Sequence, residues 1–108
     1  MDCNRSKSSK KDPLIYLSGP MTGYPEFNFP AFRAEATRLR REGYRVVNPA
    51  EHGQDFGNSW ADYLRKDIEL LLRCDRIHLL PGWADSKGAR LEHHIAVELG
   101  LEVTGAFA

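Results

Sequence analysis

The segment LIYLSGPMTGYPEFNFP, Leu14 to Pro30, begins as a short apolar run and then fills with Gly, Pro and small hydroxyl residues. LIYLS (14 to 18) is nearly continuous in apolar character, the pattern of a strand covered on both faces. The stretch from Gly19 to Phe29 reads as an open loop, because Gly and Pro punctuate regular structure and leave space beside the backbone. Beyond it, Pro30 suits a first helical turn. Phe32, Ala36 and Leu39 recur at helical spacing, and Gly43 stands where a helix stops. Strand, open loop and helix in that order form the first half of a βαβ unit.

The rest of the chain repeats the alternation. YRVVN (44 to 48) predicts a second strand closed by Pro49, and residues 50 to 58 read as loop. Ser59 followed by Asp62 resembles a capping box. The stripe Trp60, Tyr63, Leu64, Leu70, Leu71 and Cys74 then predicts a helix reaching about Arg73. RIHLL (76 to 80) predicts a third strand stopped by Pro81 and Gly82. Ser86 can cap a third helix carrying Ala89, Ile95, Ala96 and Leu99, with Gly100 past its end, and LEVT (101 to 104) is a fourth strand. The order βαβαβαβ predicts an α/β fold: a small Rossmann-like, flavodoxin-like parallel sheet of about four strands with helices on both faces. Residues 13–108 form that domain. Residues 1–12, MDCNRSKSSKKD, lack apolar periodicity and read as a flexible tail.

Composition narrows the partners. A chain of 108 residues supports one core, and 42% hydrophobic with 28% charged residues is the balance of an ordinary globular domain. Fifteen basic residues offset fifteen acidic ones, so there is no global positive field to grip a nucleic-acid polymer, and a small ligand is the better expectation. No apolar run has the length of a membrane span and none at the start resembles a signal peptide; we therefore expect a cytoplasmic protein without a membrane partner. Cys3 and Cys74 have neither metal-site nor disulfide-framework spacing, and Cys74 reads as a small core residue. No metal and no cofactor is expected.

In an open parallel sheet, ligands bind outside the carboxyl ends of the strands. Three loops lie there: 19 to 29, 50 to 58 and 81 to 85. The first offers close backbone approach at Gly19 and Gly23, stiffening at Pro20, and the hydroxyls of Ser18 and Thr22. Two carboxylates are out of place. Asp67 falls within the apolar stripe of the second helix, and Glu92 lies on the inward side of the third, three residues after Ala89 and three before Ile95. Burying an unpaired carboxylate costs several kcal/mol or shifts its pKa, so each needs either an Arg or backbone N–H partner or a chemical task. In SKGARLE (86 to 92), Ser86 and Gly88 open the helix as an anion site, with Glu92 facing the same pocket. Adjacent residues on a helix diverge, so His93 and His94 read as solvent or core-edge residues. Trp83 could stack on a base or pack the rim, and Asp75 sits at the opposite end of its strand, where it reads as a structural pair.

Three segments together resemble the nucleoside 2-deoxyribosyltransferase superfamily, most closely its DUF4406 branch: IYLSGPMTG (15 to 23), Asp67 with CDRIHLLPGW (74 to 83), and SKGARLEHHIAVELGLEV (86 to 103). The resemblance implies that Glu92 is a nucleophile attacking the anomeric carbon of a deoxyribose, that Asp67 protonates or orients the departing base, and that Tyr16 positions Glu92. Ser18, Gly19, Pro20, Met21, Thr22, Gly23, Trp83, Ser86 and Gly88 would then contact a nucleoside or nucleotide. Transferases of free nucleosides carry Asp six residues before the Glu. Ser86 at that position is similar to the branch that hydrolyses 2′-deoxynucleoside 5′-monophosphates, and a Ser can donate to a phosphate that an Asp would repel. Longer relatives continue past the fourth strand and complete a neighbour's pocket. With the incomplete cover of so small a sheet, this implies a homo-oligomer, a dimer or larger, in which Phe107 could take part. The rival expectation is a binding module that keeps the pocket to sense or sequester a nucleotide without turnover; the glycines would serve it, but it has no need of Glu92.

Overall fold

The computed structural model describes residues 13–52 and 59–106. The expectations of a flexible tail over 1–12, a loop through 53–58 and a role for Phe107 lie outside the described residues. Four strands form one parallel sheet in the order β2-β1-β3-β4: β1 (Leu14–Ser18), β2 (Arg45–Val47), β3 (Arg76–Leu79) and β4 (Glu102–Gly105). Tyr16 pairs with Val47 on one side and Ile77 on the other, which fixes β1 at the centre. Between the strands run α1 (Phe29–Arg41), α2 (Trp60–Leu71) and α3 (Lys87–Glu98).

Alternation along β1 divides the core in two. Ile15 and Leu17 pack with Phe32, Ala36 and Leu39 of α1. Tyr16 packs on the opposite face with Leu71 of α2 and Ala96 of α3, together with Ile77 and Leu79. Helices therefore cover both faces. The chain builds β2 on one side of β1 and then crosses to place β3 on the other, so the strand order reverses between β1 and β3. That reversal opens a crevice at their carboxyl ends.

Element ends follow their caps. Ser59 Oγ accepts from the Asp62 amide and the Asp62 carboxylate accepts from the Ser59 amide, a complete capping box for α2. Gly43 and Gly100, both at positive φ, close α1 and α3. Tyr44 is not in β2, because its amide bonds Leu39 O in the closing turn of α1. Leu101 is likewise held to Ala96 O, so β4 starts at Glu102. Asn48 leaves β2 to cap a short 3-10 turn, its Oδ1 accepting from the Ala50 amide. Asp75 joins the base of the sheet, where Leu14 N donates to its carboxylate at 2.8 Å. Cys74 is buried, its thiol pushed up to about 12 by burial and donating to Leu70 O.

The face shared with α1 becomes polar under β3 and β4. The His78 ring bridges Glu35 Oε2 at 2.7 Å and Thr104 Oγ1 at 2.8 Å, and Arg76 pairs with Glu102 while lying over the Tyr44 ring. Hydrogen bonds from Arg38 and His78 hold the Glu35 carboxyl down at about 2 despite partial burial.

Candidate active site

At the carboxyl end of β1, between α1, α2 and α3, lies a cavity of about 340 Å³. Its floor is polar. Glu92, one turn into α3, is 5% exposed and takes its hydrogen bonds from β1: the Tyr16 hydroxyl donates to Oε2 at 2.9 Å and the Ser18 hydroxyl to Oε1 at 2.7 Å. Tyr16 and Ser18 are two residues apart, so the pleat aims both side chains at the α2–α3 face, where Glu92 descends between them. Hydroxyls thus replace the cation that a structural buried carboxylate would have. Burial pushes the Glu92 carboxyl up to about 8, and the like charge of Asp67 adds to this. The two hydroxyl donors pull the other way and do not prevail.

Asp67 lines the same cavity from α2, and burial raises it to about 6 against the opposing charge of Lys66. The Tyr16 phenol is raised well above its usual value by burial and then by Glu92. At neutral pH this pair of carboxyls favours one protonated and one ionised member.

The cavity gathers most of the residues singled out in the sequence. Tyr16, Ser18, Gly19, Met21, Thr22, Asp67, Ser86, Gly88 and Glu92 all line it. Ser18 is turned to Glu92 rather than left free for a ligand. Gly19 is required by packing, since a Cβ there would stand 2.8 Å from Leu80 Cβ. Ser86 Oγ accepts from the Ala89 amide and caps α3, whose first turn borders the cavity. Beside it the Lys87 ammonium sits 4.6 Å from the centre of the Trp60 ring.

Pro20, Gly23 and Trp83 are not in the lining. Pro20 is buried, and its carbonyl accepts from Asn28 Nδ2. Gly23 occupies the tip of the loop at φ 88. Gly82, at φ 91, turns the third loop so that Trp83 packs against the core beneath α3, its ring 4.6 Å from that of His93. His93 is thereby a core-edge residue, and His94 is exposed. Among the described residues, no group of three or more His, Cys, Asp or Glu side chains is arranged to hold a metal ion.

The sequence reading missed an aromatic wall. Phe27, Phe29 and Phe32 close one side of the cavity, and Trp60 and Tyr63 the other. Phe27 reaches it through three consecutive non-glycine residues with left-handed backbone, Glu26, Phe27 and Asn28 (φ 52, 53 and 62). Each such residue costs roughly 1–2 kcal/mol. The Phe27 amide bonded to Tyr24 O and the Asn28 side chain bonded to Pro20 O hold the turn. Its one sequence signal is Asn28, a residue type that tolerates this conformation.

The family model for a domain of unknown function, DUF4406, matches residues 13–105. Among solved structures, the chain is similar to a protein titled 2-desoxiribosyltransferase from Leishmania mexicana, with TM-score 0.66 and 16% sequence identity over 86% of this chain and 63% of that one. The chain thus spans less than two thirds of that protein's length, and the likeness is one of fold. No curated protein matches the sequence.

Proposed function

We propose that this chain, which belongs to the DUF4406 family, cleaves or exchanges the N-glycosidic bond of a 2′-deoxynucleoside 5′-monophosphate or deoxynucleoside through a covalent glycosyl ester on Glu92. The observation that carries the reading is a buried carboxylate held by two hydroxyls, with no cation bonded to it among the described residues, in a cavity that Asp67 also lines. A buried structural carboxylate is ordinarily paired with a cation, whereas retaining glycosyl chemistry needs one carboxylate as nucleophile and a second group as acid. The fold shared with a deoxyribosyltransferase supports it.

In the first step an ionised Glu92 oxygen attacks C1′ of the sugar. The C1′–N bond breaks, its electron pair goes to the base, and Asp67 supplies the proton that neutralises the leaving nitrogen. Asp67 at about 6 and Glu92 at about 8 make the reactive form, ionised Glu92 beside protonated Asp67, the minor member of the pair near neutral pH, and the step draws on that fraction. In the second step water or another base attacks C1′, the ester bond breaks, and its electron pair returns to Glu92 while Asp67 takes the proton. The aromatic wall offers stacking surface to the base, and the start of α3 with Ser86 and Gly88 offers amide donors to a 5′-phosphate.

Incubation with deoxynucleoside monophosphates and a free base, followed by chromatography, tests the reading. Released or exchanged base is the expected result. Tight binding with no base release from a pure preparation would instead favour the nucleotide-binding module.

A further inference from the structure

We infer that Ser18 is a positioning residue for Glu92: its hydroxyl favours the ionised form of the carboxylate against the pull of burial, and Oε1, the oxygen it holds, is the one that attacks. This deepens the preceding reading and rests on it for the step itself, though not for the electrostatics.

Ser18 is the last residue of β1 and 1% exposed, and its backbone is pinned by Leu80 N donating to its carbonyl. The side chain therefore has little freedom, and its only proton points along the 2.7 Å bond to Glu92 Oε1. Tyr16 holds Oε2 from two residues deeper in the strand, about 7 Å further from the carboxyl end where ligands enter. The two oxygens are thus unequal. Their donors are anchored at different depths of β1, and Oε1, whose donor stands at the strand end, is assigned as the one that attacks. When Oε1 bonds to C1′ its charge is lost and the Ser18 bond weakens. When that ester breaks, the electron pair returns to Oε1 and the Ser18 proton is in place to receive it. Ser18 thus favours the departure of the carboxylate in the second step and its readiness for the first.

Charge-assisted hydrogen bonds of this kind are worth about 1.5–3 kcal/mol, a factor of about 10–150 in the ionised fraction. The other groups acting on Glu92 are Tyr16 on the same strand and Asp67 on α2; Lys66 acts through Asp67, and His52 borders the cavity. None of them is altered by removing the Ser18 hydroxyl.

The test is the carboxyl-carbon NMR titration of Glu92 in protein labelled at Glu, with the Glu92 signal assigned by its loss in Glu92→Gln. In Ser18→Ala the midpoint should rise by at least about one pH unit. In Thr22→Ala, which removes a cavity hydroxyl not bonded to Glu92, it should stay in place. In kinetics, Ser18→Ala should lower kcat/KM about tenfold or more at pH 7 and recover as pH rises, because only the ionised fraction was reduced. An unmoved midpoint in folded Ser18→Ala, or a deficit that does not change with pH, would overturn the assignment. A raised midpoint in a protein whose unmodified form turns over no deoxynucleotide would leave Ser18 as the tuning group and reject the glycosidic reaction instead.

Discussion

Replacing Glu92 by Gln separates a nucleophile from a structural carboxylate, because the two make opposite demands on stability. The carboxyl moves from about 4.5 in the unfolded chain to about 8 in the cavity. A group raised on folding contributes its stability fully below pH 4.5, and that contribution is lost as pH climbs towards the folded value. At about 1.4 kcal/mol per pH unit, Glu92 costs the folded state on the order of 3 kcal/mol at pH 7, where folding makes it take up a proton, and on the order of 5 above pH 8, where it ionises in place. Glutamine carries no charge to bury. Its carbonyl can accept from one hydroxyl while its amide donates to the other, since both hydroxyls rotate.

Allowing about 1 kcal/mol for poorer hydrogen bonds, Glu92→Gln should gain roughly 2 kcal/mol at pH 7, a rise in Tm of about 10 °C for a domain of this size. At pH 5 the two proteins should melt within a few degrees of each other. Activity should fall roughly ten-thousand-fold, because an amide forms no usable ester. Melting curves at pH 5, 7 and 9, read beside base release at pH 7, measure both. A large fall in Tm at pH 7 with specific activity retained in the folded fraction would refute the reasoning: Glu92 would then belong to a structural pair, whose breaking costs about 3–5 kcal/mol.

Asp67→Asn should slow base release by roughly 10²–10⁴-fold for a poor leaving base and far less for a good one, which comparison of two substrates reads directly. With Glu92 at about 8 acting ionised and Asp67 at about 6 acting protonated, the rate on the poor leaving base should be nearly level between pH 6 and 8 and fall above pH 8, and a rate that goes on rising through pH 8 to a plateau would argue against the role. If the start of α3 holds a phosphate, calorimetry should show a deoxynucleoside monophosphate binding more tightly than its nucleoside, and Ser86→Asp should remove the difference. Asn28→Ala should lose roughly 1–2 kcal/mol in denaturant unfolding, because it removes both the bond to Pro20 O and a residue type that tolerates left-handed backbone. Light scattering at assay concentration should give a dimer or larger, and a fully active monomer would contradict that expectation.

How much of the site could be read in advance depended on the range over which each residue's role is decided. Asp67 and Glu92 were legible as anomalies, because a helix repeats every 3.6 residues and a carboxylate within the apolar stripe must face inward whatever it meets there. Strand order could be anticipated from the alternation of elements, but their ends could not: Tyr44 and Leu101 have the composition of strand residues and are captured by the closing turns of the helices before them. The aromatic wall was hidden because Phe27 reaches the cavity only through the left-handed turn at 26–28, and Trp60 and Tyr63 follow the same periodicity as core residues. Trp83 could by its place at a strand end stack on a base or pack the rim, and one positive-φ glycine sets it against His93. Ser18 marks the limit of local reading. In sequence it is one small hydroxyl in a loop entrance rich in them, and any of these could serve a ligand. Its partner lies 74 residues away, and their meeting depends on the height at which α3 crosses the end of β1. A rise of 3.3 Å per strand residue against 1.5 Å per helix residue means that a slip of one position on either element would give Glu92 a different donor or none. The charge state of the proposed nucleophile is therefore set by tertiary register, and that register becomes visible only once strand and helix are placed together.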